Sequence, residues 1–251
     1  MKTAALIICV LASGCIDDGT STDELDGDDE DVEVLPKLAT NALTPSQLLG
    51  ASLNYSALSQ AMLNTYAGNA NARASLVYAI GCALPAGTSV SGNYNQGGTL
   101  YSVTWQGEIG LAPGWRTSSL TTSQQRLVSA CVLSRVNLTG ASVLVSLRGP
   151  SSALTVSSTE ATSYLKQEGG FFGNIFQGPS FHLAACKGSL AVAPANRRCA
   201  QPTNTLQNVT ECGFSYAGSC ASVCTNGGPY FTGCLAKNGT RYAEAVSTFL
   251  K

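Results

Sequence analysis

Histidine is nearly missing from this chain: His182 is the only imidazole in 251 residues. Aspartate stops at Asp31, and beyond Glu33 the remaining carboxylic side chains are Glu108, Glu160, Glu168, Glu211 and Glu244. That excludes a Ser-His-Asp triad from the body, and any acid partner of His182 has to be one of those five glutamates. No C-x-x-C pair occurs and there is one histidine, so a zinc site would need nearly all-cysteine ligands. No P-loop, dinucleotide fingerprint, EF-hand loop or H-E-x-x-H is present. Beyond the first residues no apolar run approaches the roughly 20 residues of a membrane-spanning helix. Charged residues make up only 12% of the chain, against about 25% in typical soluble domains. Neither metal nor cofactor is expected, nor is a nucleic-acid partner.

The start of the chain is more specific. Met1 and Lys2 precede an apolar run from Thr3 to Leu11, and Leu11-Ala12-Ser13-Gly14-Cys15 closes it. A charged start, a short hydrophobic stretch and small residues at a cleavage point make a secretory signal peptide. The closing residues resemble the lipobox of bacterial lipoproteins. That resemblance implies cleavage between Gly14 and Cys15, a lipid (palmitate among its chains) on Cys15, and the membrane as a partner. Ile16 and Asp17 follow the cysteine; in the lipoproteins it resembles, aspartate directly after the cysteine favours inner-membrane retention, so the expected address is the outer membrane. The body resembles exported lipoproteins of Gram-negative bacteria, which implies a cell-envelope location and no particular activity.

Charge divides the chain. Ten of its fifteen acids lie between Ile16 and Val34, whereas thirteen lysines and arginines fall from Lys37 onward beside five glutamates, a net of +8. A like-charged, glycine-containing run is a solvated tether. A basic body favours anionic partners, such as an acidic glycan or lipopolysaccharide, with the tether as an internal competitor. The expected organisation is a signal peptide over 1–14, a lipidated acidic disordered tether over 15–41, and one domain over 42–251.

Cysteine usage follows the address. Cys82, Cys131, Cys186, Cys199, Cys212, Cys220, Cys224 and Cys234 are an even set, and in an exported chain they predict four disulfides. Cys82 and Cys131 both fall on predicted helices and are expected to pair, closing a loop that contributes about 4 kcal/mol. Cys186 and Cys199 are close in sequence and form the second expected pair; the other four leave three connectivities open.

Apolar spacing predicts a helix from Gln47 to Thr65, a second from Ala72 to Leu84 stopped by Pro85, and a third after Thr121 or Thr122. Alternation predicts a strand from Tyr101 to Leu111 with a turn at Asn95–Gly98 before it, and a strand near Val143–Leu147. Further strands are expected near Leu154–Val156, Gly169–Phe176, Phe181–Cys186 and Ala243–Leu250. The expected fold class is α+β, with N-terminal helices packed on an antiparallel sheet and a disulfide-rich, loop-rich C-terminal part.

Two function classes remain. The leading one is a lipid-anchored binding or structural protein, with Trp105, Trp115, Tyr101, Phe171, Phe172, Phe176, Tyr230 and Phe231 available to a core or to sugar rings. The alternative is an exported hydrolase using a glutamate pair, with Glu108 and Glu168 as candidates beside aromatic segments, or His182 with a glutamate. Gly213-Phe214-Ser215-Tyr216-Ala217-Gly218 comes nearest to a nucleophile elbow, but alanine at 217 breaks the G-x-S-x-G pattern.

Overall fold

The computed structural model describes residues 38–39 as backbone, and 42–176, 182–203 and 208–251 in full. The signal peptide, the acidic tether and Cys15 lie outside the described residues. What is described belongs to one compact unit, Val34–Lys251.

The fold is α+β with four disulfides. Its helices are α1 (Pro45–Leu49), α2 (Gln60–Gly68), α3 (Ala70–Ala83), α4 (Thr122–Ser134), α5 (Ser158–Ser163) and α6 (Cys220–Val223). They are therefore not confined to the N-terminal part, as the sequence suggested. The main sheet runs in the order β1-β4-β12-β5-β6-β7. Its strands are β1 (Leu38–Ala39), β4 (Val145–Arg148), β5 (Lys166–Asn174), β6 (His182–Lys187), β7 (Ser215–Ser219) and β12 (Val246–Leu250). Every pairing is antiparallel except β6 with β7, so the sheet is mixed. Separate two-stranded ribbons are β2 (Ser89–Gln96) with β3 (Thr99–Gln106), β8 (Thr225–Asn226) with β9 (Phe231–Thr232), and β10 (Cys234–Leu235) with β11 (Arg241–Tyr242).

Side-chain alternation gives the sheet two covered faces. Phe171, Leu183 and Ala185 join the main core with Leu76, Ile80, Val128 and Leu133 from α3 and α4. Phe172, Ala184 and Cys186 turn the other way, into a smaller cluster with Cys220, Phe231, Cys234 and Tyr242. Strands covered on both sides are buried throughout, as β4 and β12 are. The C-terminal segments tied by the Cys186–Cys220 and Cys224–Cys234 bridges are thus a cap on the second face.

Local signals explain most helix starts. Thr121 caps α4, its side chain accepting from the Gln124 N–H while the Gln124 side chain returns to the Thr121 N–H. Asn69 caps α3 in the simpler way. The helix expected from Gln47 to Thr65 is instead broken into α1 and α2. Tertiary hydrogen bonds hold the segment between them: the Asn54 N–H donates to the Tyr66 hydroxyl at 2.7 Å, and Trp115 Nε1–H donates to the Ser56 carbonyl at 2.9 Å. Leu58 and Leu120 N–H groups close the same web, on Trp115 and Tyr55 carbonyls. These bonds replace the helical ones that periodicity alone would predict. Likewise, the strand expected at Leu154–Val156 is a 3-10 turn over Ser152–Leu154, started by the Ser151 hydroxyl, which accepts from the Ala153 N–H.

The first staple is as expected: Cys82 on α3 bridges Cys131 on α4. The expected Cys186–Cys199 pair is not formed. Cys186 bridges Cys220, Cys199 bridges Cys212, and Cys224 bridges Cys234. The reason is the face of the sheet: Cys186 points into the cap cluster, whereas Cys199 sits in the main core. Nearness in sequence does not carry a side chain through a sheet.

Candidate functional site

Glu108 and Glu168 are each engaged by their own arginine. Glu108 Oε2 lies 2.8 Å from Arg135 Nη1, and Arg135 also covers the Tyr78 ring. Glu168 Oε2 lies 2.5 Å from Arg197 Nη2 and accepts from the Thr248 hydroxyl at 2.8 Å. Both partners of the second pair are fully buried. Arg197 continues from Glu168 to the carbonyls of Ser134 and Val136, at 3.0 and 2.7 Å, and so closes the C-terminal end of α4. A carboxylate with no exposed surface offers nothing to a substrate, so Glu168 acts here as a core ion pair.

His182 opens β6, half-buried, with its ring stacked on Tyr242 at 6.3 Å between centroids. Burial holds its pKa below the usual histidine value, and no carboxylate among the described residues offsets this. It lines a hollow of about 290 Å³ together with Ser215, Asn208, Val209 and Leu49. The parallel register, which sets Ala184 beside Ser215, explains how the two come to share it. Among the described residues no hydrogen bond joins His182 to Ser215, and Nε2 of His182 has no partner.

The five glutamates leave the surface basic. Glu211 pairs with Arg198 and Glu244 with Arg126, while Glu160 is buried. Arg116, Lys166, Lys237, Arg241 and Lys251 are exposed. Of the aromatic residues weighed for sugar stacking, Trp105, Trp115, Phe171, Phe172, Phe176 and Phe231 are core. Tyr101 is exposed, stacked on Tyr94. Tyr230 is half-buried at the edge of a cleft.

That cleft has a volume of about 460 Å³, inside the range of roughly 300–1,000 Å³ usual for small-ligand sites. Its lining runs from Arg148 at the end of β4 through Ser151, Ser152 and Thr155, and across to Pro229 and Tyr230 in the loop between β8 and β9. Among the described residues Arg148 is its one cationic lining residue, and it is only 8% exposed. The guanidinium lies 3.8 Å over the Phe249 ring. It donates through Nη2 to the Tyr164 carbonyl at 2.7 Å and through Nε to the Ser146 hydroxyl at 3.3 Å. Nη1 has no partner among the described residues. Burial lowers the Arg148 pKa and the nearby Glu160 carboxylate partly offsets this, so the group stays cationic at any physiological pH. A planar, oriented cation with a free edge, hydroxyls around it and one aromatic wall suit a carboxylate-bearing sugar.

Sequence reading missed this site because no motif marks it. The one available signal is an arginine ending a strand whose other residues, Val145, Ser146 and Leu147, are small or apolar. Compared with family models, curated proteins and solved structures, the chain shows no significant match.

Proposed function

We propose that this chain is a lipid-anchored cell-envelope protein with a binding role, held at the outer membrane through Cys15, whose body takes an anionic glycan at the Arg148 cleft. The observation that carries the reading is Arg148 itself: a nine-tenths buried guanidinium, fixed on three sides, bordering a cleft of ligand size. Fixing a charged group in advance removes much of the ordering cost of binding. A ligand carboxylate meets Nη1, ring hydroxyls meet Ser151, Ser152 and Thr155, and the sugar face lies on Tyr230. The basic exposed surface draws an anionic polymer toward the body and sets its salt dependence. Four disulfides fit an oxidising compartment.

The experiment is a calorimetric titration of the folded body with an oligosaccharide of uronic acid, beside its neutral hexose counterpart. Binding of the acidic sugar alone is expected, weakened at least about tenfold by Tyr230→Ala, the loss of roughly 1.4 kcal/mol. Arg148→Lys, which keeps the charge and loses the planar fork, is expected to weaken it as well. Equal binding of both sugars, or none, overturns the reading. Anchorage is tested separately: Cys15→Ala should move the protein from the membrane fraction to the soluble one.

A further inference from the structure

Two of the four bridges touch each other. Sγ of Cys186 lies 3.6 Å from Sγ of Cys224, although each is bonded elsewhere, to Cys220 and Cys234. The sulfurs of Cys186, Cys220 and Cys224 all fall within 4.8 Å of one another. One helical turn holds two of them: Cys220 begins α6, and the Cys224 N–H donates to the Cys220 carbonyl at 2.9 Å. The backing is equally close. A side chain at Gly170 on β5 would place its Cβ 3.0 Å from Sγ of Cys186 and 3.4 Å from Sγ of Cys220. Burial then ranks the sulfurs. Cys186, Cys220 and Cys234 have no exposed surface, while Cys224 is only half-buried.

We propose that Cys224 is an entry site for small-molecule thiols, and that Cys224, Cys186 and Cys220 form a relay passing disulfide exchange from the exposed bridge to the buried one. An incoming thiolate attacks Sγ of Cys224, forming a mixed disulfide and expelling Cys234 as a thiolate, which takes up a proton from water. A second thiolate attacks the outer sulfur of that mixed disulfide, forming the small-molecule disulfide and releasing Cys224 as a thiolate. Cys224 then attacks Sγ of Cys186, to which it is already in contact; the Cys186–Cys220 bond breaks, its electron pair leaves with Cys220, and Cys220 is protonated. The balance is two thiols oxidised to one disulfide and one protein bridge reduced. The protein ends with a Cys186–Cys224 bridge and thiols at Cys220 and Cys234. The relay also frees the loop between Cys224 and Cys234, which carries Tyr230.

The test needs no ligand. Cys234→Ala leaves Cys224 as a free thiol beside an intact Cys186–Cys220 bridge, so exchange can run without added reductant. The folded variant is quenched in acid, its thiols are labelled, and its bridged peptides are mapped by mass spectrometry. The expected result is label divided between Cys224 and Cys220, with Cys186 found bridged to both. Label on Cys224 alone overturns the relay. In case the variant does not fold, the unmodified chain is reduced with limiting dithiothreitol and mapped in the same way. A Cys186–Cys224 peptide with label on Cys220 and Cys234 supports the relay; label on Cys224 and Cys234 with Cys186–Cys220 intact overturns it.

Discussion

Glu168 reaches Arg197 because β5 slips by one residue against β12. Thr248 faces Gly169 and Phe249 faces Gln167, so Glu168 is the extra residue of a β-bulge. A bulge re-aims one side chain, and here it sends a carboxylate into the core, where Arg197 and the Thr248 hydroxyl receive it.

Removing one member of that pair leaves the other charged and buried. Glu168→Gln should destabilise the body by about 3–5 kcal/mol. Replacing both residues with apolar ones should cost less than the two single losses combined. Urea unfolding of the four proteins measures this, and additive losses would show that the two residues act separately.

His182 gives a clean pH signature because it is the only histidine. Its folded pKa lies below its unfolded value, so the unfolded chain binds the extra proton more readily. Stability is therefore full above the unfolded value of about 6.5 and declines as pH falls from there toward the folded pKa. The melting temperature of the protein should drop over that interval, and the drop should shrink in His182→Phe. Identical pH profiles for the two proteins would refute it.

The helical staple is predicted to stabilise the body through the long loop it closes. Cys82 and Cys131 are 49 residues apart, so Cys82→Ala with Cys131→Ala should lower stability by about 4 kcal/mol on the chain-entropy estimate. Denaturant midpoints under non-reducing conditions check this.

The hairpin of β2 and β3 lies against α2 through a glycine. A Cβ at Gly92 would run into the Leu63 carbonyl, backbone that cannot move aside. Gly92→Ala should cost about 1–3 kcal/mol by overpacking. Its effect should localise to the hairpin, read as faster amide exchange at Asn93, whose N–H donates to Asn64 Oδ1.

Features governed by local chemistry were legible in the sequence. The Thr121-Thr122 pair announces α4, Asn95–Gly98 announces a hairpin turn, and two helical cysteines announce their bridge. Features governed by register were not. Whether Cys186 faces Cys199 or Cys220 depends on which side of β6 it occupies, and the role of Glu168 depends on a one-residue slip against a strand about 80 positions away. The break between α1 and α2 escaped for a related reason, since bonds from Trp115 and Tyr66 outweigh a helical pattern. Arg148 was unremarkable as a letter; its neighbours Phe249, Tyr164 and Tyr230 come from three other parts of the chain.

The position of β12 has a consequence for how the body is made. It is the last strand in chain order, yet it lies between β4 and β5 and pairs with both. Until Val246–Leu250 have been synthesised, β4 and β5 have no partner between them, and the strands emerge with unsatisfied edges. Pairings across roughly 75 to 100 positions also close slowly, because long loops must be ordered first. The central pairings of the main sheet therefore close only once the last residues of the chain have been made.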